Sequence, residues 1–507
     1  MKTTFAARAF VIAGLLAAVL GSLPHPAQAA DSGKVSPWVT AATSAGGTTE
    51  ILVVLVEQAD LTAAAATPDL AVRRRAVHGT LQETAQRSQQ ALRAWLDASG
   101  VGYRSFAIVN ALLVRDADAA LVAALAARPE VARIEANPRI RQQLPLTKAT
   151  PGSDQPESIE WNIGLIRAPE MWAAGFTGQG IVVGNQDTGF DWQHPALKSQ
   201  YRGWSGSSAD HDYNWHDAIH SGGGVCGPDS PAPCDDYGHG TLTAGVSIGS
   251  DGGANQIGVA PGARWIGCRN MDQGWGTPAS YLECLEFFLA PYPVGGTPAQ
   301  GDPARAPDVT NNSWLCPPEE GCSWDTLQAA IEAQRAAGIL TVVAAGNSGP
   351  SCSTVQDPPA IYEAAFSVGA TDVADGIASF SSLGPVAVDG SGRLKPDLSA
   401  PGDNVRSSAP GGDYAAASGT SLAAPHVAGA VALLWSASPT LRGRVDATEQ
   451  ALARSSAPLY STQCGDPAST VPNNVFGWGR LDAMAAYTIF ADGFDAGNAW
   501  AWSTINP

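Results

Sequence analysis

Residues 419–434, GTSLAAPHVAGAVALL, form a run of small and apolar residues that opens with two hydroxyl side chains, Thr420 and Ser421. Ala, Val and Leu at this density predict a buried helix. Serine and threonine are preferred helix N-caps, so a cap is the simplest role for Ser421. Pro425 has no N–H and crowds the carbonyl of Ser421, so it predicts an irregular first turn. We therefore expect Thr420 to cap the helix and Ser421 to be free to act as a nucleophile.

Three further segments place polar residues at the ends of strands or the start of a helix. GIVVGNQDTGFD is an apolar strand that ends at Asp187, DDYGHGTLTAGVSIG puts His239 between two glycines at the start of a helix, and GILTVVAAGNSGP ends near Asn347. Each alone is more often a turn or a structural residue. Together, Asp187, His239 and Ser421 supply an orienting carboxylate, a base and a nucleophile, and Asn347 supplies an N–H donor for an oxyanion.

The segments QDTGFD, YGHGTLTAG, AAGNSG and SGTSLAAPHVAGAVALL resemble, in order, the four signature blocks of subtilisin-like serine peptidases (peptidase family S8). GRLKPDLSAPGDNVRSSAPGG is most similar to the bacillopeptidase F branch. The resemblance implies that Ser421 is the nucleophile, His239 the general base and Asp187 the group that orients it. It implies an oxyanion hole made by Asn347 and the Ser421 backbone N–H. His426 receives no role and is expected to be a packed core histidine.

The same resemblance implies a substrate cleft along the segment NNSWLC. Substrate would bind as an extra strand, with Ser313, Trp314 and Leu315 lining the cleft, while Ala345 and Gly346 belong to the far wall of the first pocket. Family members usually have glycines where Leu315 and then a cysteine stand here. The bulky leucine and the acidic loop CPPEEGC either narrow the cleft or favour basic substrate residues, and both alternatives stay open.

The start of the chain has the pattern of a signal peptide over residues 1–29. Lys2 and Arg8 precede an apolar run over residues 9–20. Ala-Gln-Ala at 27–29 matches a cleavage site. The apolar run is too short to span a membrane, and no later segment has about eighteen uninterrupted apolar residues. We therefore expect a secreted protein that passes through the periplasm to the exterior.

Charge and periodicity divide the remaining chain. Residues 30–150 hold 13 basic and 11 acidic side chains, whereas the residues after 150 hold 14 basic and 36 acidic ones. Strand and helix patterns alternate over 50–141 as in a small α+β, ferredoxin-like domain, which the resemblance identifies as an inhibitory propeptide. A Pro- and Ser-containing processing linker follows over 142–158. Residues 159–487 predict an α/β catalytic domain with a doubly wound, mostly parallel sheet, and 488–507 form a short tail.

All eight cysteines lie beyond residue 220, and an even number in an exported protein predicts disulfides. The short loops CGPDSPAPC and CPPEEGC favour pairing of Cys226 with Cys234 and of Cys316 with Cys322. The pairing of the other four stays open. No Cys and His cluster has zinc-ligand spacing, so we expect no metal site of that kind.

Residues 204–234 read as a long surface loop. Asp210, Asp212 and Asn214 alternate within it as calcium ligands might, but the glycine and closing glutamate of a calcium loop are missing, which favours a solvated loop. Catalysis is expected to need no cofactor, and a structural calcium ion has no assigned place.

These observations favour a secreted serine endopeptidase made as a self-processed zymogen, with polypeptide substrates and a monomeric state. A net charge of −18 argues against nucleic acid or an anionic membrane as a partner. The alternatives are a maturation protease of narrow specificity and, less favoured, an inactive member of the fold that only binds.

Overall fold

The computed structural model describes residues 33–142 and 159–494. The predicted signal peptide, residues 143–158 of the predicted linker and residues 495–507 of the predicted tail lie outside the described residues.

The first part of the chain, residues 33–142, forms a four-stranded antiparallel sheet with three helices between its strands. Its strands, together with one short strand beyond the sheet, are β1 (Thr49–Leu55), β2 (Tyr103–Phe106), β3 (Ala111–Ala117), β4 (Val131–Ala136) and β5 (Ile140–Arg141). Its helices are α1 (Pro37–Ala42), α2 (Thr62–Ala65), α3 (Leu70–Ala98) and α4 (Ala119–Ala126). The β1-α3-β2-β3-α4-β4 order and the sheet order β2-β3-β1-β4 give the predicted ferredoxin-like arrangement.

The position of β1 between two packed layers explains why its sequence is continuously apolar and does not alternate with polar residues. Side chains of adjacent strand residues point to opposite faces of the sheet. Val53 packs into a core shared with α3 and α4, whereas Leu52 and Val54 pack against helices of the second part of the chain. Both faces of this sheet are therefore covered.

The second part of the chain, described over residues 159–494, contains eleven further strands in that range. These are β6 (Val182–Asp187), β7 (Trp215–Asp217), β8 (Arg264–Arg269), β9 (Met271–Asp272), β10 (Trp275–Gly276), β11 (Val309–Asn312), β12 (Leu340–Ala344), β13 (Phe366–Thr371), β14 (Leu398–Pro401), β15 (Val405–Ala409) and β16 (Asp413–Ala417). Seven of them form one sheet in the order β14-β13-β12-β11-β6-β8-β7. Every described pair in it is parallel, which confirms the predicted α/β class.

Helices cover both faces of this sheet. They are α5 (Trp161–Leu165), α6 (Ala168–Ala173), α7 (Pro195–Lys198), α8 (His239–Ile248), α9 (Pro278–Leu289), α10 (Gln328–Ala336), α11 (Thr420–Ala437), α12 (Val445–Ser455) and α13 (Ala483–Phe494). In β12, Val342 packs into the core around α8 and α11, whereas its neighbour Val343 packs with α9 and α10. Successive residues thus face different helical layers, as a doubly wound sheet requires.

The expectation of a long surface loop over 204–234 is wrong in one part. Residues 215–217 form β7, the edge strand beside β8, and Trp215 is fully buried against Phe190. A three-residue strand has too little periodicity to be recognised in a Gly- and Asp-rich segment, and the tryptophan was the available signal.

Helix α11 is the central core helix. It is long and apolar enough to span a membrane by length and composition, but 89% of it is buried inside the protein. It packs against β11, β12, β13 and β14 and against α8.

The two parts of the chain are packed together. The face of the ferredoxin-like sheet that carries Leu52 lies on α9 and α10. Leu52 of β1 therefore shares a core with Leu285 of α9 and Ile331 of α10. Beyond that sheet, β5 pairs antiparallel with β10 as an added strand. The end of the first part therefore reaches the rim of the parallel sheet's carboxyl edge.

Candidate active site

Asp187 is the last residue of β6 and lies at the carboxyl edge of the parallel sheet, where α/β proteins place their functional groups. Its Oδ1 accepts hydrogen bonds from His239 Nδ1 at 2.7 Å and from the Thr188 backbone N–H at 2.8 Å. Its Oδ2 accepts one from the Thr243 hydroxyl at 3.2 Å. Both Asp187 and His239 are almost completely buried. The carboxylate is therefore held in place from three sides.

The two glycines beside His239 have separate steric reasons. Gly238 has a φ of 100°, which L side chains rarely adopt. A Cβ at Gly240 would lie 2.1 Å from Gly189 O and 3.0 Å from Asp187 Cβ. Only a residue without a side chain lets the first turn of α8 approach the end of β6, and this approach joins His239 to Asp187.

Asp235 is a site residue that the sequence analysis missed. Its carboxylate accepts hydrogen bonds from the backbone N–H groups of Tyr237, Gly238 and Thr241 at 2.8–3.1 Å and from the Thr188 hydroxyl at 2.9 Å. Burial raises the pKa of this carboxyl. Asp235 therefore ties the start of α8 to the end of β6, and an aspartate just before a helix start was the signal for it.

Ser421 lies in the first turn of α11. Its hydroxyl donates to Ser313 O at 3.3 Å, and the Ser313 hydroxyl donates to Ser421 O at 2.9 Å. Pro425 stands where a residue with an N–H would bond to Ser421 O, so that carbonyl is available for Ser313. The predicted disturbance of the first turn thus appears as a link between α11 and the segment after β11.

His239 lies at the start of α8 and Ser421 in the first turn of α11, and these two helix starts are neighbours. The two side chains are not hydrogen-bonded to each other. Leu242 of α8 and Leu422 of α11 lie in one buried cluster. His239 Nε2 is buried and has no hydrogen-bond partner among the residues that the structure describes. One nitrogen of the imidazole therefore bonds to Asp187, and the other has no hydrogen-bond partner in the described part of the chain.

Asn347 follows β12, and its side chain is exposed. Its Oδ1 accepts hydrogen bonds from the backbone N–H and from the hydroxyl of Thr420, each at 2.9 Å. The expectation that Thr420 caps α11 is wrong, because the N-cap position is Gly419 and no side chain caps this helix. The Thr420 hydroxyl bonds outward instead, donating to Asn347 and accepting from Gly346 N at 3.2 Å.

The residues expected to line the cleft come from the segment after β11 and from the end of β12. Trp314 is buried and stacks on Tyr281 with ring centroids 4.1 Å apart. Leu315 is half-buried, and a Cβ at Gly346 would lie 3.2 Å from Leu315 Cδ1, so these two residues face each other. Ala345 is buried at the end of β12, where its N–H donates to Val368 O at 3.0 Å.

His426 is fully buried, and its ring nitrogens contact Asn162 Nδ2 at 2.8 Å and Leu422 O at 2.7 Å. Burial lowers the pKa of His426 to about 4. A neutral histidine with both nitrogens occupied is a core residue, as the sequence analysis expected.

Four disulfides join the eight cysteines. Two are the pairs expected from short loops, Cys226–Cys234 and Cys316–Cys322. The other two, Cys268–Cys284 and Cys352–Cys464, span 16 and 112 residues, which is why sequence spacing left them open.

The aspartates considered as calcium ligands bond to protein groups. Asp210 Oδ1 accepts from Asp212 N at 3.0 Å, and Asp212 Oδ1 accepts from Val294 N at 2.9 Å. Within residues 33–142 and 159–494, no group of three or more His, Cys, Asp or Glu side chains is arranged to hold a metal ion.

The chain is similar to one protein family and to several known members of it. The model of the Subtilase family matches residues 178–479. Bacillopeptidase F of Bacillus subtilis (strain 168) is 36% identical over 443 residues, which cover 83% of this chain and 29% of that protein. Subtilisin BL of Lederbergia lenta is 32% identical over 285 residues, 56% of this chain and 87% of that protein. Subtilisin E of Bacillus subtilis (strain 168) is 30% identical over 307 residues, 59% of this chain and 68% of that protein.

Proposed function

The chain belongs to the Subtilase family, whose members are serine endopeptidases, and on this premise we propose that it is a secreted endopeptidase made as a self-processed zymogen. The observation that carries the proposal is the buried hydrogen bond between His239 Nδ1 and Asp187 Oδ1, beside the start of α11 where Ser421 stands. The chain spans 29% of the length of Bacillopeptidase F, so its own substrates are part of the proposal.

The hydrogen bond from Nδ1 to Asp187 determines which tautomer the neutral His239 ring adopts. With the proton of neutral His239 on Nδ1, the lone pair on Nε2 is free to accept the proton of Ser421. Asp187, which Thr188 and Thr243 also hold, orients the ring and stabilises the imidazolium that forms. The Ser421 hydroxyl has to leave Ser313 O and donate to His239 Nε2 before it is deprotonated. Such catalytic hydrogen bonds commonly tighten only when substrate is bound.

Ser421 Oγ then attacks the scissile carbonyl, and the oxygen of that carbonyl becomes an oxyanion. The Asn347 Nδ2 group and the Ser421 backbone N–H are the proposed donors to it. Because Ser421 lies in the first turn of α11, its N–H has no intrahelical acceptor and is available. His239 returns its proton to the leaving amine, the amine departs, and water releases the acyl group by the same route.

The packing of the first part of the chain supports the zymogen proposal. Its sheet lies on α9 and α10, and Glu286 of α9 accepts hydrogen bonds from Ala107 N at 2.6 Å and Ile108 N at 3.2 Å. Strand β5 adds to β10 as a peptide substrate would, and the next residue, Gln142, bonds to Leu315, which is expected to line the cleft. In this proposal, residues 50–141 cover the site until the linker over 142–158 is cut.

Secretion is supported by the signal-peptide pattern and by four disulfides, which persist in oxidising compartments. Polypeptides are the proposed substrates, and the chain's own residues 50–141 are the proposed intramolecular inhibitor.

A fluorophosphonate probe tests the catalytic proposal, because it reacts covalently with an activated serine. We expect labelling of the wild-type protein at Ser421 and none in Ser421→Ala or His239→Ala, with unchanged circular dichroism spectra. Absence of labelling in the processed wild-type protein would indicate an inactive member of the fold that only binds. A peptide panel mapped by mass spectrometry then separates broad specificity from that of a narrow maturation protease.

A further inference from the structure

A pocket beside the cleft holds the side chain of Gln142, the last described residue of the first part of the chain. The Gln142 backbone N–H donates to Gly274 O at 2.8 Å, which continues the strand formed by β5. Its Nε2 group donates to Leu315 O and to the Tyr281 hydroxyl oxygen, and lies 3.3 Å from Glu320 Oε2. Its Oε1 accepts from Leu315 N at 3.4 Å. Both ends of the carboxamide are therefore bonded, and we name this site the Gln142 pocket.

Glu320 is an unusual residue to find in such a pocket. It is fully buried, its Oε2 accepts from the Tyr281 hydroxyl at 2.8 Å, and its Oε1 has no hydrogen-bond partner in the described part of the chain. Burial, together with the nearby charges of Asp357 and Glu319, raises the pKa of Glu320 to about 8. Burying a carboxyl without a basic partner costs stability, so its retention at the cleft points to a role in binding.

The pocket is built on fixed parts. The disulfide Cys316–Cys322 closes the loop that carries the glutamate. The Tyr281 ring is held by its stacking on Trp314. A Cβ at Gly276 would lie 1.9 Å from the Tyr281 hydroxyl oxygen, so glycine is needed there for the hydroxyl to reach the pocket. These supports keep the acceptors in position when no side chain fills the pocket.

We propose that the Gln142 pocket, lined by Tyr281, Leu315 and Glu320, is a specificity subsite that prefers a glutamine side chain in the substrate. It rests on the proposed function, since it assumes that substrate peptides add to β10 as β5 does.

The hydrogen-bonding groups of the pocket are complementary to a carboxamide. Leu315 O, the Tyr281 hydroxyl and Glu320 Oε2 accept from the Gln142 carboxamide, and Leu315 N donates to it. A carboxamide has two N–H donors and one acceptor and matches this set. Methionine has a similar length but leaves the buried polar groups without partners, and glutamate brings a second carboxyl to Glu320. The acidic loop that left specificity open in the sequence thus contributes a buried acceptor.

The test uses enzyme processed from the full-length chain and a synthetic peptide of residues 137–158. Three versions are compared: the native peptide, Gln142→Met and Gln142→Glu, with cleavage sites assigned by mass spectrometry. We expect kcat/KM to be about tenfold lower for both altered peptides, since one to two hydrogen bonds to buried groups are lost.

Enzyme variants link this preference to the pocket. Glu320→Gln and Tyr281→Phe conserve side-chain shape and are expected to bring the native and Gln142→Met peptides toward equal kcat/KM. Glu319→Gln makes the same substitution at an exposed neighbour and should retain the full preference. Equal kcat/KM for all three peptides, or failure to cut any of them, in an enzyme that fluorophosphonate labels overturns the pocket proposal alone. Absence of both labelling and cleavage refutes the proposed function and the subsite with it.

Discussion

Asn347 Oδ1 accepts two hydrogen bonds from Thr420, one from its backbone N–H and one from its hydroxyl, each at 2.9 Å. Because the amide group is planar, fixing its oxygen on Thr420 leaves Nδ2 pointing away from that residue. The two helix-mouth hydroxyls therefore have different tasks: Thr420 orients the proposed oxyanion donor, and Ser421 is the proposed nucleophile.

Replacement of Asn347 tests the oxyanion donor. We expect Asn347→Ala to lower kcat by about a hundredfold or more with little change in KM, because the lost hydrogen bond forms only as charge develops on the substrate oxygen. A loss of about this size follows removal of the corresponding donor in a subtilisin. Steady-state kinetics on a peptide substrate measures it, and full turnover in the variant would remove Asn347 from the oxyanion hole.

Thr420 provides a second test of the same arrangement. Thr420→Val keeps the side-chain shape and the backbone donor but removes the hydroxyl, so we expect kcat to fall by about tenfold. Thr420→Ser retains the hydroxyl and serves as the matched control. In the Asn347→Ala background, Thr420→Val should lower kcat much less, because the residue it orients is absent. Additive losses would show that Thr420 acts through something other than Asn347.

Some residues of the candidate site can be recognised from the local sequence pattern, and others depend on partners that are distant in the chain. Asp187, His239 and Asn347 were predictable because each follows a recognisable strand or starts a helix, and strand ends in a parallel sheet converge on one edge. The role of Thr420 was not, because its partner is 73 residues away in the chain. Helix propensity favours a cap for a threonine at a helix start, and tertiary contacts override that preference here.

The Gln142 pocket was also beyond sequence reasoning. Its lining residues come from α9, from the segment after β11 and from a disulfide loop, and no periodicity relates them. Adjacent Glu319 and Glu320 look alike in the sequence, yet one is exposed and the other fully buried. Only the three-dimensional packing distinguishes a solvated charge from a buried acceptor.

Ser421→Ala should accumulate as an unprocessed precursor, because the proposed cut in the linker is made by the enzyme itself. In the wild-type protein we expect the new N-terminus to fall between Gln142 and Ser158. Intact mass spectrometry of both proteins, produced in a host that lacks other secreted proteases, measures this. A Ser421→Ala protein that arrives already trimmed would show that another enzyme makes the cut.

Glu320 predicts a pH dependence of the precursor's stability. Its pKa is about 8 in the folded precursor, above the ordinary carboxyl value, so folding takes up a proton at intermediate pH. Stability from this group is full below the ordinary carboxyl pKa and is lost as pH rises toward about 8, by on the order of a few kcal/mol. The thermal midpoint of Ser421→Ala should therefore fall more steeply over this range than that of Ser421→Ala with Glu320→Gln. Parallel curves would contradict it, and Glu319→Gln is the control.

The contact between the two parts of the chain predicts that residues 50–141, added as a separate chain, inhibit the processed enzyme. Four described salt bridges cross this contact, and in each the arginine belongs to the first part: Arg74–Asp308, Arg104–Glu283, Arg133–Asp325 and Arg139–Asp272. This polarity follows the charge division of the sequence. Because opposite charges accelerate encounter, we expect the association rate to fall as salt is added, while the dissociation rate changes less.

Arg74 offers the sharpest variant for this inhibition. Its guanidinium is buried and donates to Ala306 O at 3.2 Å, to Pro307 O at 2.9 Å and to Asp308 Oδ1 at 3.1 Å. Arg74→Met in the added segment removes these three hydrogen bonds and leaves Asp308 with Arg442 as its remaining cation, so it should raise the inhibition constant by about a hundredfold. Arg87→Met is the control, because Arg87 is exposed and pairs with Glu57 of the same segment. Progress curves of peptide hydrolysis measure both constants. If the native segment does not slow turnover at micromolar concentration, residues 50–141 are a spacer and not an inhibitor.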